Sequence, residues 1–95
     1  MIEVTIRKNE IKIYGHAEYA EKGKDIVCAA ASILEHTLLR SLKILSEDNV
    51  NIEREKGVTL IRFKDLSREG KLLVDSFFIG ISDIAVKYPE CVKMR

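Results

Sequence analysis

The sequence predicts an α+β protein in two layers, with two long helices on one face of a mainly antiparallel sheet, in the order ββαββα(β). Three observations carry this prediction. Two segment pairs alternate apolar and polar residues, each pair broken by a short polar turn, which is the signature of half-buried hairpins. After each pair runs a longer stretch whose apolar residues recur at spacings of three and four, as on one face of a helix. A single proline, Pro89, stands at the end of the second such stretch.

The elements follow in chain order. Ile2, Val4 and Ile6 alternate with Glu3, Thr5 and Arg7, Lys8-Asn9-Glu10 supplies a turn, and Ile11 and Ile13 continue the alternation. From Asp25 to about Leu45, a stripe of Val27, Ala31, Leu34, Leu38, Leu42 and Leu45 defines a helix, with Ile26, Ala30, Ile33 and Ile44 widening its apolar face. Asp25 is the expected N-cap, because its carboxylate can accept from the unpaired backbone N–H groups of the first turn. Val50 to Arg54 and Val58 to Phe63 form the second hairpin, with Gly57 of Glu55-Lys56-Gly57 where the turn favours positive φ. The second helix runs from about Ser67 to Lys87 with Leu73, Phe77, Ile81, Ile84 and Tyr88 on one face; Pro89 stops it. Cys91 to Met94 is long enough for a short closing strand.

Composition narrows the function classes. Ninety-five residues, 46% hydrophobic and 33% charged, fit one domain over residues 1–95. A net charge of +1 and the lack of a basic stripe interleaved with aromatics argue against direct nucleic-acid binding. The chain opens on strand-like alternation, not an apolar leader, and holds no apolar run of membrane-spanning length, so a cytoplasmic location and no membrane contact are expected. Two distant cysteines, Cys28 and Cys91, make no disulfide framework and suit a reducing compartment.

Chemistry concentrates in "GHAEYAEKGKDIVCAAAS", from Gly15 to Ser32. With Asp25 as N-cap, Cys28 is the third helical residue, where the positive end of the helix dipole favours a thiolate. It shares a helical line with Ser32 and Glu35, off the main apolar stripe. His16 follows the second strand after Gly15, within possible reach of the thiol, which would make a nucleophile and base. First-turn N–H groups could then hold a developing oxyanion. Spacing alone leaves a plainer reading open, in which Cys28 is a small buried residue and His16 a loop histidine. Two cysteines and two histidines also allow a zinc site on paper, but the close ligand pairs that make zinc motifs specific are missing, so no metal and no cofactor are expected. His36 reads as a partly buried helix residue and Cys91 as a strand residue. The charged segment from Ala17 to Lys24, bracketed by Gly15 and Gly23, is expected to be a mobile loop with those glycines as hinges.

The string "GHA", a short loop, then "G-x-DIVCAAAS" resembles the signature of the ribosomal-processing cysteine proteases, the Prp family of bacteria. The element order and chain length agree over nearly the whole chain. The resemblance implies that His16 and Cys28 are a catalytic pair, with Asp25 and Ser32 in support. It also implies a homodimer that clips a short N-terminal extension, ending in aromatic residues before a small one, from a large-subunit ribosomal protein. The alternative from a different class is a non-catalytic module binding a ribosomal protein or assembly intermediate, in which His16 and Cys28 only shape a peptide groove.

Overall fold

The computed structural model of the chain describes residues 1–15 and 24–95. Period-2 alternation becomes two tight hairpins: β1 (Ile2–Arg7) with β2 (Glu10–Tyr14), and β3 (Val50–Glu55) with β4 (Val58–Phe63). Both turns are one residue tighter than the sequence predicts, because Glu10 pairs with Arg7 and Glu55 with Val58 in the ladders. Gly57 takes up the positive φ, +71°, that the second turn needs. A fifth, short strand, β5 (Val92–Met94), lies parallel to β1 with Ile2 opposite Val92. The sheet order is β3-β4-β2-β1-β5.

Topology explains why both helices share a face. β2 pairs antiparallel with β4, and so does β3, which makes β2 and β3 parallel to each other across β4. Helix α1 (Lys24–Leu45) connects them, and α2 (Arg68–Lys87) likewise connects β4 to β5, which runs parallel to it. The first crossover moves toward one sheet edge and the second toward the other, between strands of opposite direction. Two right-handed crossovers of that kind put their helices on the same side of the sheet. There they cover Val4, Ile11, Ile61 and Val92, while Val27, Leu38 and Leu42 of α1 and Val74, Phe77 and Ile81 of α2 close the core from above.

The opposite face of the sheet is polar. Arg95 pairs with Glu3, and Arg62 with both Glu10 and Glu53. Tyr14 stands half-exposed there with the Lys12 ammonium over its ring.

Three expectations about the helices need correction. α1 begins at Lys24, so Asp25 is its second residue and not the N-cap, and Cys28 is its fifth. Ile26, Ile33, Ile44 and the stripe residue Leu45 are exposed instead of widening the core, because the sheet and α2 together cover only part of the circumference of α1. His36 is exposed as well. Ser67 caps α2: its hydroxyl accepts from the Gly70 N–H and itself donates to the Asp48 carboxylate. Asp48 also accepts from the Ser67 N–H at 2.8 Å, and these two bonds from Ser67 hold its carboxyl below the usual carboxylate range. Among the described residues, no helix is long and apolar enough to cross a membrane.

Candidate active site

Cys28 lies on the second turn of α1, half-buried, packed at the edge of the core beside the stripe that holds Val27 and Ala31. Its own N–H falls past the four unpaired donors of the helix start. A helical Cβ leans toward the N-terminus, however, so the thiol overhangs the first turn and remains near the positive end of the dipole. Ser32 is one turn further along the same line and exposed.

Gly15 ends β2 and is the residue covalently joined to His16. Its φ of +88° is a left-handed conformation that favours glycine, and a Cβ there would run into the Met1 carbonyl oxygen. The Gly15 N–H donates to the Gly57 carbonyl at 2.7 Å, fastening the end of β2 to the β3–β4 turn. His16, the loop from Ala17, and Gly23 lie outside the described residues, as do the side chains of Lys24 and Asp25. The mobile-loop and hinge expectations fall largely on that stretch.

Gly15 and Ser32 come together in one cavity of about 410 Å³ between α1 and the sheet. Its floor crosses three strands through Ile13, Thr59 and Arg54, neighbours in the ladders. Its roof is the polar side of α1: Ser32, Glu35 and His36. Glu35 and Arg54 face each other across it at 4.0 Å, with the Glu35 side chain only 17% exposed. Glu35 was legible on the helical line of Cys28 and Ser32. Arg54 was not, because its place depends on strand register and on where α1 lies. His36 stands eight residues beyond Cys28, roughly 12 Å along the helix axis, too far for its imidazole to serve that thiol. Among the described residues, no three His, Cys, Asp or Glu side chains converge in a way that would hold a metal.

An α+β frame with a cysteine on the second turn of a crossover helix, and a polar cleft between that helix and the strand ends, fits a thiol-dependent hydrolase. Comparison with known proteins makes the class specific. The sequence model of the cysteine protease Prp family matches residues 1–93, and the chain belongs to that family. It is 59% identical over 92 residues to the ribosomal processing cysteine protease Prp of Mycoplasma genitalium, covering 95% of this chain and 90% of that protein. The namesake from Staphylococcus aureus is 27% identical over 104 residues, covering 100% of this chain and 98% of its own. Among solved structures, a Streptococcus mutans protein superposes with a TM-score of 0.86 at 31% identity, covering 100% of this chain and 92% of the other. The S. aureus protease in complex with a substrate peptide shares the fold, with a TM-score of 0.85 at 23% identity over 99% of this chain and 95% of that one. The chain is therefore a cysteine protease for ribosomal processing, which sets aside the non-catalytic module.

Proposed function

We propose that this protein is the cysteine endopeptidase that removes a short N-terminal extension from a large-subunit ribosomal protein, as one domain over residues 1–95, with Cys28 as nucleophile and His16 as its base. The observation that carries the reading is the shared cleft: Ser32, one helical turn after Cys28, lines it together with Gly15, the residue before His16. Asp25 and Ser32 act in support from the same helix, and Gly15 and Gly23 bound the intervening loop.

The chemistry follows from these roles. His16 takes the Cys28 proton, and the thiolate attacks the scissile carbonyl carbon. The oxygen gains negative charge and is held by the free N–H groups at the start of α1. Collapse of the tetrahedral intermediate expels the amine, which takes the proton from the His16 imidazolium and leaves a thioester on Cys28. Water then gives a proton to His16 and adds to the thioester; the acid product departs and the thiol is restored. No cofactor is needed for any step. A free peptide end is the partner, with neither nucleic acid nor a membrane involved, and the cytoplasm is where such a substrate is made.

Cys28→Ala and His16→Ala should each abolish cleavage of the extended ribosomal protein while leaving the circular dichroism spectrum unchanged. Retained cleavage by either purified variant overturns the pair. If His16 activates the thiol, Cys28 should also be alkylated by a small reagent faster in the unmodified protein than in His16→Ala.

The protein is also proposed to be a homodimer. Support comes from the outer side of α2, where Leu72, Ile79 and Val86 recur one heptad apart, 61%, 61% and 82% exposed. The ion-paired open sheet face, with Tyr14 and Leu60, offers less apolar surface. Light scattering that finds only the 10.8 kDa species at micromolar concentration would refute the dimer.

A further inference from the structure

The cleft beside Gly15 has an unusual electrostatic design. Of the charged side chains around it, Arg54 points toward α1 by strand alternation, as does its neighbour across the ladder, Thr59. Glu55, next along β3, alternates to the open face of the sheet with Glu53, which pairs there with Arg62. Glu55 borders the cleft at the end of β3, so the charges that face each other over it from α1 and the sheet are Glu35 on the roof and Arg54 on the floor, with the exposed imidazole of His36 beside them. Glu35 is largely covered and Arg54 is 57% exposed, so the arginine closes over the carboxylate from the solvent side. At about 410 Å³ the cavity is at the small end of the range for ligand pockets, room for one peptide side chain with its backbone.

We propose that this cleft is a specificity subsite for one side chain of the substrate, and that the Glu35–Arg54 pair, each charge cancelling the other across it, makes the subsite select an uncharged side chain. The inference rests on the peptidase reading above, which puts the scissile bond at Cys28, one helical turn from the cleft. A charged side chain entering would leave one member of the pair with an extra like charge and the other in competition for two partners. A neutral polar or small side chain leaves the pair intact and finds hydrogen-bonding partners in Ser32 and Thr59. Glu35 and Arg54 touch substrate only through this subsite and have no part in bond breaking.

The test uses end-blocked peptides spanning the N-terminal junction of the organism's extended ribosomal protein, each position replaced in turn by Lys, Glu, Ser or Leu. Binding is measured in a Cys28→Ser background, and cleavage with the thiol intact. Arg54→Ala should raise affinity for Lys at one position roughly tenfold, the scale of a newly available charged hydrogen bond, and leave the other positions unchanged. Glu35→Gln should raise acceptance of Glu at that same position. Arg54→Lys keeps the charge and should keep the unmodified profile, which a purely structural role for the pair would not require. Charge preferences that stay unchanged at every position in both charge-removing variants, or no binding by any peptide of the set, overturn the subsite. Failure of the thiol-intact protein to cleave peptides that do bind would instead count against the peptidase reading, and leaves the binding profile to decide the subsite.

Discussion

Gly15 is where backbone geometry and proposed chemistry meet, and Gly15→Ala tests both. Alanine at φ +88° carries a left-handed backbone that costs about 1–2 kcal/mol. Its Cβ would also meet the Met1 carbonyl oxygen. That oxygen belongs to the same peptide plane as the Ile2 N–H, which donates to the Cys91 carbonyl at 2.8 Å, so it cannot swing aside without breaking the tie between β1 and the start of β5. Relief must come from one of the two backbone hydrogen bonds, Ile2 to Cys91 or Gly15 to Gly57, each worth about 1 kcal/mol. The total is about 2–3 kcal/mol, which for a domain of this size lowers Tm by on the order of 10–20 °C. Gly57→Ala is the control: its φ of +71° carries a similar backbone cost, so by backbone conformation alone it should lose about 1–2 kcal/mol. Activity separates the two further. Moving Gly15 moves the residue joined to it, His16, and a misplacement of about 1 Å can cost roughly 100-fold in rate. Cleavage measured well below both melting points should therefore fall far more in Gly15→Ala than in Gly57→Ala. If the two variants melt together and cleave alike, the contact with Met1 is not the constraint it is argued to be.

Other outcomes follow from the same structure. Ser67→Ala removes the N-cap of α2 and should cost about 1 kcal/mol, read as a lower urea midpoint at unchanged slope. Asp48 has a folded pKa below its unfolded value, so its ionised form contributes stability that is present above the ordinary carboxylate range and is lost as pH falls through the lower, folded pKa; Asp48→Asn should flatten that acid limb in urea titrations across pH. Ile61→Ala empties a fully buried site flanked by Ile11 and Ile52 and should cost about 2–5 kcal/mol by the same titration. Ile79→Lys, on the outer side of α2, should leave the melting curve of the monomer nearly unchanged while light scattering shifts from dimer to monomer.

The strands and the end of α2 were legible because their signals are local. Alternation in Ile2-Glu3-Val4-Thr5-Ile6 carries its own period, and Pro89 ends a helix by ring chemistry that needs no partner. The buried face of α1 was legible only in part. Ile26, Ile33 and Ile44 are as apolar as Val27 and Leu38, and a helix does not encode which side its neighbours will occupy. The parallel pairing of β5 with β1 was hidden for a related reason: it is decided by a crossover, not by anything in Val92–Met94 itself. Cys28 stood out by its place at a helix start, whereas Arg54 looked like any charged strand residue until register put it under Glu35.

The position of the cleft is a consequence of that topology. β2 and β3 run parallel, so their C-terminal ends, Tyr14 and Glu55, lie toward the same edge of the sheet. α1 leaves from β2 and returns to β3, so its first turns must also lie at that end, above the gap that β4 fills between them. Ligands in folds with such crossovers collect at the carboxyl ends of parallel strands, where helix N-termini and strand ends leave a crevice that neither layer closes. Here the crevice is lined by the Gly15–Gly57 clasp and by the Glu35–Arg54 pair spanning roof and floor, with Ser32, one helical turn after Cys28, at its rim. On the proposed mechanism the nucleophile Cys28 thus stands one helical turn from a groove made by three strands and a helix, and the chain need supply only the right side chains at its rim to set which peptides enter.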